Sequence, residues 1–165
     1  MDIEAQFLKA FDDYADALFR HCFFRVSDRE TAKDLVQETF AHAWDHLRQG
    51  KEARDYRAFL YRIAGNLIVD FYRKKKAISL ENLDDKEKNT LFYDERDARE
   101  VEDDARRVLL EIQKLPENYQ KVVTMRYVDG LSPKEIAAIL EESENVVSVR
   151  IHRGVEKLRA LFDTL

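Results

Sequence analysis

The sequence predicts an all-α protein, two small helical domains joined by a flexible acidic linker. Three observations carry that expectation. Glycine and proline are scarce, four and two in 165 residues, which does not suit the many turns of an all-β fold. Apolar residues recur at helical spacing through long stretches rich in Leu, Ala, Glu, Lys and Arg. The charge is segregated along the chain. Overall, 28 Lys/Arg face 33 Asp/Glu, a net charge of −5. Residues 1–80 are near neutral with 14 basic and 13 acidic side chains, residues 81–104 hold 4 and 11, and residues 105–165 hold 10 and 9. All the excess acid therefore sits in one middle segment, so the total does not exclude a polyanionic partner for either flank.

Composition removes other classes. No stretch approaches the roughly 20 apolar residues of a membrane span. The N-terminal "MDIEAQFLKAFDDY" is acidic and amphipathic, unlike a signal peptide. The one cysteine, Cys22, excludes an internal disulfide framework and a multi-cysteine zinc site. A cytoplasmic protein is expected.

The first body, residues 3–77, reads as roughly four helices. The first begins near Ile3, carries Phe7, Phe11, Tyr14, Leu18 and Phe19, and continues towards Phe23. The second opens at "SDRETAKDLVQETFAHAWDHL", where Ser27 or Asp28 can cap its N-terminus. Ala32, Val36, Phe40, Ala43 and Leu47 then face inward, and Asp34, Gln37 and Glu38 share the outer face. Gln49 to Tyr56 is a polar, Gly-containing break. The last helix is "YRAFLYRIAGNLIVDFYRKKK". Phe59, Leu60, Ile63, Ala64, Leu67 and Phe71 are expected to be buried, with Tyr61, Gly65, Val69 and Tyr72 opposite, among Arg62, Arg73 and the Lys74–Lys76 run. Exposed aromatics among cations suit single-stranded nucleic acid, because bases stack on rings while cations follow phosphates. The same pattern fits tyrosines packed at a helix interface and lysines that merely favour a helix C-terminus.

Residues 78–104 read as the linker, polar and almost without periodicity. The second body, residues 105–163, is better punctuated. Pro116 suits a first helical turn, and Gly130 suits the position after a helix end. Ser132, Pro133 and Glu135 form a capping box with proline at the first helical position. A short helix to about Leu140, a tight turn and the longer helix "ENVVSVRIHRGVEKLR" make a helix-turn-helix. In the last helix Val147, Ile151, Val155, Leu158 and Phe162 form the core stripe. The opposite face carries Asn145, Val146, Ser148, Val149, His152 and Arg153. Hydrogen-bonding side chains there suit base edges, the valines suit thymine methyls, and Arg150, Lys157 and Arg159 suit phosphates. A three-helix bundle with a solvated face has the same rhythm.

Chemistry is sparse. His42 and His46 lie at i and i+4, one turn after Glu38, but "ETFAHAWDH" is not the His-Glu-x-x-His arrangement. Cys22, among phenylalanines, reads as a buried thiol. There is no phosphate loop, nucleophile elbow or spaced carboxylate pair, so no catalytic residue, metal or cofactor is expected.

Taken together, "SDRETAKDLVQETFAHAWDHL", "FLYRIAGNLIVDFYRKKK" and "LPENYQKVVTMRYVDGLSPKEIAAIL…SVRIHRGVEKLR" resemble the bacterial sigma factors of the extracytoplasmic-function (ECF) type, the smallest branch of the sigma-70 family. The resemblance covers nearly the whole chain apart from the linker and termini. It implies that residues 3–77 are region 2, which binds core RNA polymerase and the −10 element, and that residues 105–163 are region 4, which reads the −35 element. Asp34, Gln37 and Glu38 match the contact with a coiled coil of the β′ subunit; the β subunit is a further implied contact. The Gln49–Tyr56 break matches the loop that captures a flipped −10 base. Tyr61, Arg62, Asn66 and Arg73 match positions near the non-template strand, and Tyr72 and Lys74 complete the expected −10 set. The last helix matches the −35 reader, with Asn145, Val146, Ser148, Val149, Arg150, His152 and Arg153 as its contacts. Promoter DNA and an anti-sigma factor are implied partners.

The sequence departs from the family pattern in two places. Glu141 and Glu142 stand in the helix-turn-helix turn, where the family commonly has glycine followed by an apolar residue, and Ser148 stands where lysine is frequent. The linker, with a net charge of −7, is expected to thread a basic channel built for nucleic acid and to compete with the transcript. The reading from another class is a stand-alone dimeric helix-turn-helix regulator, which needs a dimerisation helix; the ending "LRALFDTL" offers little length for one. A metal-dependent helical enzyme using His42 and His46 is a third.

Overall fold

A computed structural model describes residues 2–81 and 103–164. The acidic stretch between them, including the linker residues expected to enter a basic channel, lies outside the described residues. The chain divides into two units, Met1–Tyr93 and Asp94–Leu165, and among the described residues every regular element is helical.

The first unit consists of α1 (Ile3–Val26), α2 (Arg29–Arg48) and α3 (Tyr56–Glu81), each packed on the other two. Three helices stand where roughly four were expected, the first running unbroken to Val26. Ser27 ends α1 in the left-handed conformation, its N–H donating to the Phe23 carbonyl at 2.8 Å. Asp28, the second of the two predicted caps, starts α2: its carboxylate accepts from the Thr31 hydroxyl at 2.5 Å and the Thr31 N–H at 2.9 Å. Those two bonds, the hydroxyl first, hold the Asp28 carboxyl below its ordinary pKa. Ala32, Val36, Phe40, Ala43 and Leu47 are all buried, as the spacing predicts. Phe40 receives the ring of Phe11 at 4.8 Å and that of Phe7 at 5.9 Å, and Phe7 also meets Trp44. Cys22 is fully buried.

α3 departs from its expected phase. Ala58, Leu60, Tyr61, Ala64 and Ile68 are its buried residues, whereas Phe59, Ile63, Leu67 and Phe71 are half-buried. The helix packs against both α1 and α2, so its covered arc is wide and its centre is rotated from the stripe read in the sequence. α3 also continues past Lys76 to Glu81, into the stretch assigned to the linker. No glycine or proline interrupts that run.

The second unit comprises α4 (Asp103–Gln113), α5 (Glu117–Val123), a π-helical turn (Thr124–Val128), α6 (Pro133–Leu140) and α7 (Glu144–Asp163). Pro116 lies one residue before the first turn of α5, as its cap. Gly130 has φ +69, the left-handed geometry expected after a helix end. The predicted capping box is present: Glu135 N–H donates to Ser132 Oγ at 3.1 Å, and Ser132 N–H donates to Glu135 Oε2 at 2.8 Å. The seat of α7 depends on Gly154. A Cβ there would lie 2.7 Å from Val123 Cγ2 and 3.4 Å from Tyr119 Cβ, so only glycine permits this approach of α7 to α5.

Candidate nucleic-acid interface

The helix-turn-helix presents one side of α7 to solvent. α6 ends on Glu141, in the left-handed region at φ 56. The Glu142 N–H reaches back to the Ala137 carbonyl at 3.1 Å. Ser143 then caps α7, accepting from the Val146 N–H at 3.2 Å. With Val147, Ile151 and Gly154 turned inward, Asn145, Val146, Ser148, Val149, His152 and Arg153 are all exposed. Val146 and Val149 remain 44% and 42% exposed, so the outer face combines two aliphatic groups with four polar ones, a set that can meet methyl groups and base edges together.

The cations of α7 differ in their surroundings. His152 Nε2 lies 3.2 Å from Glu156 Oε1, on the surface. Lys157 Nζ sits 5.4 Å from the centre of the Tyr119 ring. Arg153 and Arg159 are exposed. Arg150 is the exception: its Nη1 is 2.7 Å from Glu142 Oε2, across the turn, and its side chain is only 24% exposed. The structure therefore places Arg150, expected among the −35 contacts as a partner for phosphate, against a carboxylate.

In the first unit, Asp34, Gln37 and Glu38 form an exposed patch on α2, as expected. Glu38 Oε1 lies 3.6 Å from His42 Nε2, while the His46 ring packs on Phe59 at 4.7 Å. His42 and His46 thus have different neighbours, and among the described residues no three His, Cys, Asp or Glu side chains are grouped to hold a metal.

The expected −10 set is split. Asn66, Arg73 and Lys74 are exposed, with Lys75 and Lys76 beside them, and Arg62 is half-buried. Arg73 Nη1 lies 3.9 Å from Asp70 Oδ1. Tyr61 contradicts its expected outward position: it is 0% exposed, and its ring meets His21 edge-on at 5.1 Å. An amphipathic phenol reads equally well on either face of a helix, and here the α1 side claims it. Tyr72 is half-buried and its hydroxyl donates to the Arg25 carbonyl. Burial pushes its phenol up from the ordinary value. Tyr61 therefore offers no open ring for stacking, and Tyr72 is tethered through its hydroxyl. The break before α3 is exposed at Gln49, Gly50, Lys51, Glu52, Arg54 and Asp55, with Gly50 at φ +76. Asp55 anchors its far end by accepting from the Ala58 N–H at 3.1 Å.

Two features escaped the sequence reading. The Glu142–Arg150 pair joins residues outside the usual i,i+3 and i,i+4 rule, so no spacing pattern announces it. Tyr127 is 61% exposed and borders a shallow groove with Ser148, His152 and Arg159 of α7. The π-helical turn alters the phase of "TMRYV", so helical periodicity gives no cue to this outward placement.

Comparison with known proteins finds two family models on separate stretches of the chain. Residues 10–78 match the family model Sigma-70 region 2, and residues 105–158 match Sigma-70, region 4. The ECF RNA polymerase sigma factor SigW of Bacillus subtilis is 34% identical over 159 residues, covering 90% of this chain and 84% of SigW. The ECF RNA polymerase sigma factor SigL of Mycobacterium tuberculosis is 30% identical over 166 residues, covering 98% and 92%. Among solved structures, CnrH in complex with the cytosolic domain of CnrY superposes with a TM-score of 0.71 at 28% identity, over 98% of this chain and 90% of that one. The sigma factor RpoE of Bartonella quintana, in complex with the anti-sigma factor NepR, has a TM-score of 0.69 at 18% identity, over 96% and 97%, a likeness of fold.

Proposed function

The chain belongs to the sigma-70 family, in its ECF branch, as a sigma factor that directs transcription initiation, and from that premise we propose how its surfaces divide the work. The sigma-70 family is not a class of enzymes. This chain supplies the promoter address, and core RNA polymerase supplies the catalysis. Asp34, Gln37 and Glu38 dock on the β′ coiled coil. The Gln49–Asp55 break and the exposed Asn66, Arg73 and Lys74, with Arg62, hold the melted −10 strand. Asn145, Val146, Ser148, Val149, His152 and Arg153 read the −35 duplex. Tyr61 and Tyr72 are assigned to shaping α3 and not to stacking on bases, because both are engaged inside the unit. Unstacking a base costs a few kcal/mol, offset by the pocket that receives it.

The observation that carries this reading is the outer face of α7, where two valines and four polar side chains stand exposed together on a helix whose inner face is seated on glycine. The stand-alone dimeric regulator gains nothing from the likenesses above. An anti-sigma factor is the further partner this membership supports. No helix among the described residues is long and apolar enough to cross a membrane, and the assigned role places the protein in the cytoplasm with the polymerase. Run-off transcription with core polymerase and a genomic promoter library tests the proposal: the wild-type chain yields discrete start sites, and Glu38→Lys abolishes them along with co-purification of core enzyme. Transcription by Glu38→Lys at the wild-type level would remove α2 from the polymerase interface.

A further inference from the structure

The Glu142–Arg150 contact has no part in the division of work above, and it occupies a side chain that DNA would otherwise recruit. Arg150 lies about 60° around α7 from Arg153, at the border of the outer face. A guanidinium in that position has the reach to meet a phosphate beside the groove. It is instead turned into a recess on the α5 side, where its Nη1 and Glu142 Oε2 are 2.7 Å apart and Lys121 and Glu117 also line the wall. The pair is partly sheltered, with 24% and 36% of the two side chains exposed, so salt screens it less than an open surface pair. A cation already neutralised by a carboxylate releases no counterion on approaching DNA, and counterion release is the main source of phosphate-contact affinity.

We propose that Glu142 withholds Arg150 from the DNA backbone, so that region 4 of this chain makes one phosphate contact fewer than its sequence provides and binds the −35 element more weakly. This rests on the assignment of α7 as the −35 reader. Glu142 is a positioning residue that acts through Arg150. The effect keeps recognition dependent on the polymerase, which adds the remaining contacts.

The test is the salt dependence of binding to a duplex carrying the −35 element, measured with holoenzyme assembled from core polymerase and the full-length chain. Glu142→Gln is expected to steepen the slope of log K against log[salt] by about 0.9, the value for one added phosphate on B-DNA, and to tighten binding by about fivefold at 0.15 M salt. Arg150→Gln is expected to leave the wild-type slope unchanged, and Glu142→Gln/Arg150→Gln to return to it. A slope that flattens in Arg150→Gln overturns the proposal, because the arginine then reaches phosphate in the wild-type protein. A gain from Glu142→Gln that persists without Arg150 also overturns it, since that is plain loss of repulsion. Arg153→Gln separates this from failure of the −35 assignment: if it weakens −35 binding while the Glu142 variants do nothing, the assignment stands and the proposal falls. If all the variants bind alike, both fall. Thermal unfolding of the Glu142 and Arg150 variants near the wild-type temperature confirms that the slopes compare folded proteins.

Discussion

α3 and α7 both turn a proposed nucleic-acid face to solvent, yet they are built on opposite plans. α3 gathers four exposed cations, Arg73 to Lys76, in its C-terminal half, while Tyr61 is buried and Tyr72 donates its hydroxyl to the Arg25 carbonyl. α7 spreads hydrogen-bonding groups and valines along its face and balances several cations with carboxylates or a ring: Arg150 with Glu142, His152 with Glu156, Lys157 over Tyr119. The first plan suits a strand held mainly by charge, the second a duplex discriminated mainly by shape and hydrogen bonding. Phosphate contacts position and base contacts specify, and the two helices emphasise the two tasks differently.

The contrast is broken most completely by removing the seat of α7. Gly154→Val should cost about 3 kcal/mol by forcing α7 off α5, unfolding the second unit at lower urea while the first keeps its own transition; a single shared shift would show that the units are not separate. Next, Arg153→Ala should cost about 2 kcal/mol at the −35 element and relax discrimination there, whereas losses equal on every duplex would make Arg153 a phosphate contact like those of α3. Third, Asp28→Ala should destabilise the first unit alone by about 1 kcal/mol. Its pH signature follows from the lowered carboxyl. The capping contribution is present above the unfolded pKa, near 4, and is lost as pH falls through the lower folded value. Urea melts at descending pH should therefore converge for wild type and variant. The smallest effect is Lys74→Gln, expected to weaken all melted −10 strands alike and flatten the salt slope by about 0.7; a sequence-dependent loss would give α3 a reading role.

How legible each part was in the sequence follows from how many neighbours decide it. α2 sets a plainly apolar stripe against a charged face, and its five predicted core residues are all buried. The capping box at Ser132 and Glu135 is local chemistry, so it forms as read. In α3 the amphipathic Tyr61 reads on either face, and periodicity alone centred the buried arc wrongly, leaving Tyr61 on the surface. Its continuation to Glu81 was missed because the charge shift at residue 81 marks a change of composition, not a helix stop. For the candidate interfaces, the exposure of Asp34, Gln37, Glu38 and six of the seven α7 residues follows directly from helical phase. Arg150 does not, because its partner sits before the helix begins and only the turn at Glu141 brings the two together.

The missing side chain at position 154 also separates two kinds of change. The register of α7 against its support is held by a contact that tolerates no added carbon, while six positions on its far side stand exposed to solvent. Under the proposed −35 assignment, a descendant of this sequence can rewrite the promoter vocabulary it understands, one exposed letter at a time, without disturbing the spine on which the page is bound.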